Sequence, residues 1–319
     1  MMTLPRLIHV TPFLLSALIG VGSADALPFG GRKAKPNEFK PEEVSSPAAL
    51  QKNARRYWKQ HGLGKIRKAG FTSVAITEFN VEIMTSADYD ASGKGNFGLA
   101  DIGQLATGAG RKAFEFSDGF KQELPGRLYE RFVSQLGDAG YEVKSLGDVA
   151  GSTAYAKFRG RNKTDKNRAS GKYKSSRTEV YPVDGLVDLK DGAFAQMGNM
   201  NANAELLHEL GVDVGLRVHV KVGIAKKGSP AILTGSMIQV SAGVDSNTGP
   251  GGKTRYWVEK YGSVSSKDGF FYPERVTKKA GRKGTRKKHE VDEVAYESKL
   301  MEMFPPYMGM AISMFDQKG

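Results

Sequence analysis

The pattern of apolar and polar positions predicts interleaved strands and helices. From Gly70 to Met84 both faces are apolar at the start, which is typical of a strand covered on both sides. Apolar residues spaced three to four apart between 120 and 140 predict a helix. A long strand from Val212 to Ala225 and a return strand from Ala231 to Val240 predict an antiparallel pair. Together these elements predict an α/β or α+β domain with a mixed sheet flanked by helices.

Weaker patterns complete the predicted order of elements. DGLVDLKDG, from Asp184 to Gly192, and TRYWVEKYG, from Thr254 to Gly262, each predict a strand. A helical stripe runs from Val291 to Phe304, and Pro305-Pro306 is expected to break that helix before YMGMAISMF resumes it. This tail is rich in methionine, which fits core packing, a Cu(I) site or a docking segment: Met301, Met303, Met308, Met310 and Met314.

The N-terminal pattern predicts export. Arg6 precedes an apolar run from Leu7 to Val21, and Ala24-Asp25-Ala26 places small residues where a signal peptidase cuts. Residues 1–26 are therefore expected to be a signal peptide, and the mature protein to be periplasmic or secreted. Residues 27–64 are expected to form a flexible leader with one helix, and residues 65–319 a single domain.

Composition narrows the chemistry. The 319 residues include no cysteine, which excludes disulfides, thiolate catalysis and thiolate metal sites. Beyond the signal peptide no apolar run reaches the roughly 20 residues of a membrane-spanning helix. The sequence also lacks GxSxG, SxxK and HExxH motifs, so we expect a protein without catalytic activity.

The formal net charge of +13 is concentrated in two segments. Residues 159–177 hold eight basic residues and one acidic residue, and residues 275–288 hold eight basic residues and no acid. Because both segments are poor in apolar residues, they are predicted to be two long, mobile basic loops inserted in the domain. They fit either solubilising loops or a surface that binds a polyanion. The candidate anion-binding residues are Arg159, Arg161, Lys163, Lys166, Arg168, Lys172, Lys174, Arg177, Arg275, Lys278, Lys279, Arg282, Lys283, Arg286, Lys287 and Lys288.

The stretch DYDASGKGNFG, residues 88–98, carries the candidate metal site. Its tail has the GxGxxG spacing of a dinucleotide loop, but the preceding strand is expected to end near Met84, too early for that motif. Its head fits the first positions of a calcium loop, with Leu99 where a glutamate is usual. An ordinary surface loop explains the same residues. The candidate ligands of calcium are Asp88, Asp90, Ser92, Asn96 and Asp101.

Two groups of ionisable residues are expected to lie on exposed strand faces without a catalytic role. Glu78 and Glu82 share a strand face too far apart for paired acid chemistry, and are expected on an exposed edge. His219 shares a strand face with Arg217 and Lys221 and no carboxylate, so it is expected to be a surface histidine.

Three stretches together resemble a family of bacterial envelope proteins: SVAITEF, QLGDAGYEV and ELGVDVGLRVHVKVG. That family includes the curli-secretion lipoprotein, the lipoprotein activators of peptidoglycan synthases and the N-terminal domain of the Tol-system propeller protein. The resemblance covers about residues 70–244 and implies work in envelope assembly, scaffolding or partner activation. The chain departs from the lipoprotein members because it lacks a lipobox cysteine and carries two basic segments.

These observations lead to one expected function and one alternative. We expect an exported binding or assembly protein whose basic segments engage an anionic envelope component or an acidic protein partner, with nucleic acid less suited to that compartment. The alternative is a calcium-dependent or metal-handling periplasmic protein that uses the loop from Asp88 to Asp101.

Overall fold

The computed structural model describes residues 36–88, 111–161, 176–188, 193–225, 227–252, 254–283 and 286–316. The predicted signal peptide, residues 162–175 of the first basic segment and residues 89–110, which include most of the candidate calcium loop, lie outside these ranges. The described residues belong to one compact unit.

Strands and helices alternate along the chain. The strands are β1 (Asn37–Glu38), β2 (Trp58–His61), β3 (Ser73–Asp88), β4 (Arg111–Glu115), β5 (Glu142–Val143), β6 (Ser176–Pro182), β7 (Val214–Ile224), β8 (Pro230–Ile232), β9 (Met237–Thr248), β10 (Thr254–Ser266), β11 (Phe270–Phe271), β12 (Thr277–Lys283) and β13 (Arg286–Val291). The helices are α1 (Pro47–Tyr57), α2 (Leu63–Ala69), α3 (Asp118–Asp138), α4 (Leu146–Gly151), α5 (Thr153–Arg161), α6 (Ala193–Leu210) and α7 (Glu293–Asp316).

The strands form a mixed sheet with β3 at its centre. β3 pairs in parallel with β7 and antiparallel with β6, and the sheet continues from β7 through β9 and β10 to β2. The C-terminal end of β3 pairs with β4, which pairs in parallel with β13, and β12 closes this end as the hairpin partner of β13. Helices flank the sheet, so the expected fold class of a mixed sheet with helices is confirmed.

A β-bulge at Thr77 shifts the alternation of side chains along β3 by one residue. The register with β7 shifts between Ile76 and Glu78, so Ile76 lies opposite Leu216 and Phe79 lies opposite Val218. Ile76 and Phe79 therefore share one buried face, although regular alternation would put them on opposite faces. Helix α3 covers this face, with its Tyr129 and Phe132 rings 5.6 and 5.9 Å from the ring of Phe79.

The C-terminal helix α7 corrects one expectation. It continues through Pro305-Pro306, where the sequence predicted a break. Packing holds the helix on both sides of the prolines: the Gln135 side chain donates to the Pro305 carbonyl, and Trp58 Nε1 donates to the Tyr307 carbonyl at 3.1 Å. Four of the five tail methionines are buried in the core, and the fifth packs against it: Met303, Met308, Met310 and Met314, with Met301 partly buried. Core packing, the first interpretation of these residues, accounts for their positions.

The expected flexible leader is also corrected, from residue 37 onward. β1 pairs with β11, and β2 pairs with β10, so this segment belongs to the sheet. Phe39, Tyr57 and Trp58 are buried in the core. The polar composition of the segment led to the wrong prediction. Its few aromatic residues pack into the core and hold the segment in the fold.

The strand expected over DGLVDLKDG lies earlier in the chain, as β6, while residues 184–185 form a turn and residues 186–188 belong to no strand or helix. Among the described helices, none is both long enough and apolar enough to span a bilayer.

Replacing Trp58 by alanine should lower the free energy of unfolding by about 3–5 kcal/mol. The indole is 1% exposed and donates to the Tyr307 carbonyl, so its removal leaves a cavity and removes this hydrogen bond between β2 and α7. Trp257 is the matched control, since it is 39% exposed, and Trp257→Ala should cost less than about 1 kcal/mol. Urea unfolding followed by circular dichroism measures both values. Equal losses in the two variants would contradict the packing of residues 37–61 into the domain.

Candidate functional site

The second basic segment is an ordered hairpin, which corrects the prediction of a mobile loop. Residues 277–283 and 286–291 form β12 and β13, and β13 is held in the sheet by its parallel pairing with β4. Composition predicted a loop because few apolar residues are present. Strand pairing satisfies the backbone instead, and long basic side chains keep their charged ends in water while their stems line the strand.

The hairpin separates its charges between two faces. Residues directly opposite one another in a strand pair share a face, as do alternate residues along a strand. Lys279 lies opposite His289, and Arg282 lies opposite Lys287 beyond a bulge, so these four residues lie on one face. We call Lys279, Arg282 and Lys287, together with the exposed Arg275 before β12, the cationic face.

The other face of the hairpin is partly neutralised. Lys288 forms an ion pair with Glu115 at 2.7 Å, and Lys278 lies opposite Glu290. The side chains of Lys283 and Arg286 lie outside the described residues. Of the second segment's eight predicted anion-binding residues, four therefore form the cationic face: Arg275, Lys279, Arg282 and Lys287. None of these four has an ion pair or side-chain hydrogen bond with a described residue.

His289 lies beneath the cationic face and was not predicted as a site residue. It is 2% exposed, and its ring centroid is 6.0 Å from that of Phe114 on β4. Burial lowers the pKa of His289, and the positive charges of Lys112, Arg275, Lys279 and Lys287 lower it further. The imidazole is therefore neutral at neutral pH. The alternation of Lys287, His289 and Val291 was the available sequence signal that one face runs from charge into the core.

The first basic segment is described only at its ends. Arg161 closes α5 and Arg177 lies in β6, and their side chains lie outside the description. The Arg159 guanidinium donates to the Gly185 carbonyl at 2.6 Å and lies over the Tyr155 ring, so it is already engaged within the fold. The remaining candidates lie outside the described residues: Lys163, Lys166, Arg168, Lys172 and Lys174.

The candidate calcium ligands are likewise largely outside the described ranges. Asp88 is the last residue of β3, opposite Arg111 of β4, so the strand continues beyond Met84, where it was expected to end. Asp90, Ser92, Asn96 and Asp101 are not described. In the described part of the chain, no three acidic or histidine side chains are grouped as metal ligands.

A second polar cluster, on the sheet face opposite α3, was missed by the sequence analysis. We call it the polar ladder: Glu78, Asn80 and Glu82 on β3, and Arg217, His219 and Lys221 on β7. The parallel register places Glu78 beside Arg217 and Glu82 beside Lys221. Arg217 Nε donates to Glu78 Oε2 at 2.5 Å, and Asn80 Nδ2 lies 2.8 Å from both Glu78 Oε1 and Asp188 Oδ1.

Glu82 contacts two basic residues of the polar ladder, His219 and Lys221. His219 Nε2 is 2.9 Å from Glu82 Oε2, and Lys221 Nζ donates to Glu82 Oε1 at 2.9 Å. Burial raises the pKa of Glu82, but the His219 hydrogen bond, the Lys221 charge and a hydrogen bond from Thr178 outweigh it. The pKa of Glu82 is therefore well below its ordinary value, and the carboxylate stays ionised.

Both expectations about these residues were wrong. Glu78 is buried and Glu82 is largely covered by neighbouring strands, so neither lies on an exposed edge, and His219 does have a carboxylate partner. The complementary spacing was the available signal, with acids at 78 and 82 and cations at 217 and 221. It required knowing that β3 and β7 pair in parallel. Because opposite charges alternate within the ladder and neutralise one another, the ladder stabilises the sheet, whereas the charge of the cationic face is uncompensated.

No family model, curated protein or solved structure was found to match this chain.

Replacing Glu82 by glutamine should lower the free energy of unfolding at pH 7 by about 1–3 kcal/mol, because Lys221 loses a charged acceptor in a half-buried position. The control is Glu123→Gln, a helix-surface pair with Arg127 at 67% exposure of Glu123, which should change stability by less than about 0.5 kcal/mol. Chemical denaturation of the two variants beside the wild type measures the difference.

The wild type and Glu82→Gln also test how the free energy of unfolding depends on pH. The folded-state pKa of Glu82 lies below its ordinary value of 4.5, so its stabilising contribution is complete above that pH and is lost as the pH falls through the folded-state pKa. The wild type should therefore lose stability more steeply than Glu82→Gln between about pH 5 and pH 2. Parallel curves would show that the carboxylate is not held ionised by the ladder.

Proposed function

We propose that this protein binds the anionic surface of the cell envelope through its cationic face and does so without catalysis. The observation that carries the proposal is a set of four basic side chains on one side of a sheet end: Arg275, Lys279, Arg282 and Lys287. All four are exposed, and none is paired with a described acid. Export, predicted from residues 1–26, would bring this face into contact with the cell envelope.

The composition of the cationic face favours a phosphate-bearing lipid surface over an acidic protein. Protein interfaces have an apolar centre, with lysine depleted there. The exposed part of the cationic face is instead made of lysine and arginine, and its apolar neighbours Phe114 and Val291 are buried. Lysine near an anionic lipid surface contributes about 1 kcal/mol per residue without needing a shaped pocket.

The rigidity of the hairpin supports the same proposal. Both strands are fixed by pairing, so the backbone keeps Lys279, Arg282 and Lys287 at a set spacing before any contact with a surface. Less backbone entropy is then lost on binding than would be lost by a mobile loop. The lost translational freedom is offset by several weak attractions acting together.

Vesicle co-sedimentation over a salt series tests the proposal. Purified protein is mixed with phosphatidylglycerol vesicles or with neutral phosphatidylcholine vesicles. Binding is expected to the first only, and to weaken steeply as salt rises, because the Debye length shortens from about 10 Å at 0.1 M to about 3 Å at 1 M. Replacing Lys279, Arg282 and Lys287 together by glutamine should weaken partitioning by about 100-fold at low salt.

A charge-matched control separates the cationic face from net charge alone. Lys52, Lys65 and Lys68 are exposed on α1 and α2, and replacing these three by glutamine removes the same charge elsewhere. This control should lose less than about threefold. Equal losses in both triple variants would contradict a localised site, and capture of an acidic protein without vesicle binding would show that the partner is a protein.

A further inference from the structure

Beneath the cationic face lie two buried polar side chains without a partner. His289 is 2% exposed, and neither Nδ1 nor Nε2 has a hydrogen-bond partner among the described residues. Thr277 is 5% exposed, and its Oγ1 is likewise without a partner in the described part of the chain. Buried polar groups are nearly always hydrogen-bonded, so two such groups in one place call for an explanation.

The strand register puts both groups on the same face as the cations. Thr277 lies opposite Val291, and His289 lies opposite Lys279, so alternate positions along β12 and β13 place Thr277 and His289 together. Lys287, two residues before His289, lies on this face as well. The exposed ammonium groups of Lys279 and Lys287 therefore flank a buried imidazole and hydroxyl.

Arg275 is brought to this cluster by a close approach of the backbone. A Cβ on Gly228 would lie 2.3 Å from Thr277 Oγ1 and 3.2 Å from Arg275 Nε, so these two polar atoms lie near the same point. Gly228 has a φ of +91°, and its carbonyl accepts from the Val276 N–H at 2.9 Å. Glycine thus allows the guanidinium and the hydroxyl to approach, since a larger residue would collide with Thr277.

The charges that act on His289 come from each strand around it. They are Lys112 on β4, Arg275 before β12, Lys279 on β12 and Lys287 on β13. The carboxylate of Glu115 on β4 is ion-paired with Lys288 on the opposite face. The surroundings therefore disfavour an imidazolium in the free protein, and an anion placed among these cations reverses that preference.

A tetrahedral oxyanion carries the acceptors and the negative charge that these groups lack. Its oxygens accept from the Thr277 hydroxyl and from an imidazole N–H, and they match the fork of the Arg275 guanidinium. Its charge neutralises Lys279 and Lys287. We propose that Arg275, Thr277, Lys279, Lys287 and His289 form a site for a phosphate group, and that His289 takes up one proton from solvent when the group binds.

This inference rests on the proposed binding of an anionic surface, and it adds the chemical group that is bound and the dependence of binding on pH. The phosphate group has two sources, a lipid headgroup or a free anion. No bond is made or broken, and the proton taken up converts the neutral imidazole to imidazolium.

Calorimetric titration with sodium sulfate tests the site. Sulfate is a tetrahedral dianion that does not titrate near neutral pH, so any pH dependence belongs to the protein. As the pH falls, the affinity for sulfate should rise, by about tenfold in total for each unit by which binding raises the pKa of His289. Titrations at about pH 6 in two buffers of different ionisation enthalpy should show net proton uptake when sulfate binds. Phosphatidylglycerol vesicles, whose phosphodiester charge is also constant, form the lipid arm.

His289→Gln is the decisive variant, and His61→Gln is its control because His61 is exposed on β2. His289→Gln should lose proton uptake and the pH dependence of sulfate binding, and His61→Gln should keep both. In the wild type, the proton NMR titration of the His289 ring should shift to higher pH when sulfate is added. That measurement holds even if His289→Gln does not fold.

The two proposals fail in different ways. Salt-sensitive vesicle binding without sulfate binding, or with the same pH dependence in His289→Gln, overturns the phosphate site and leaves surface binding in place. Sulfate binding with proton uptake but no vesicle binding supports the site with a free anion as its ligand, and it overturns the proposed function. A His289 titration that is indifferent to sulfate overturns the proton linkage.

Discussion

The parallel register between β3 and β7 is the constraint on which the rest of the structure depends. It aligns the apolar residues of both strands against α3 and aligns opposite charges on the other face. A slip of one residue would carry these charges into the core and expose the apolar residues, so wrong registers are strongly disfavoured. The bulge at Thr77 is part of this constraint, because it keeps Phe79, Val81 and Ile83 on the same face as Val74 and Ile76.

The sequence predicted elements whose signal is local and missed those whose signal is not. β3, α3 and β7 follow from periodicity, because each needs only its own apolar spacing. The contact between Glu82 and His219 joins residues 137 positions apart, so it follows only from strand pairing. The basic hairpin and the helix through Pro305-Pro306 were mispredicted for one reason: packing against distant residues overrode composition and proline propensity.

The two polar clusters show how context decides the role of charge. In the polar ladder each glutamate is paired with at least one basic residue, so opposite charges compensate one another across the two strands. In the hairpin, the sheet places like charges side by side above a buried imidazole. Like charges held together destabilise the free fold, and that cost is recovered only when an anion is present. A group of charges without opposite charges beside it therefore indicates a candidate binding site better than the number of basic residues does.

The position of β12 has a consequence for association between molecules. Among the described strands β12 pairs only with β13, so no described strand covers its outer backbone edge. Lysines and arginines along such an edge repel a second copy and prevent edge-to-edge pairing. An anion that neutralises these charges also removes the repulsion. Crowding on an anionic surface would thus weaken the protection that keeps this edge unpaired in solution.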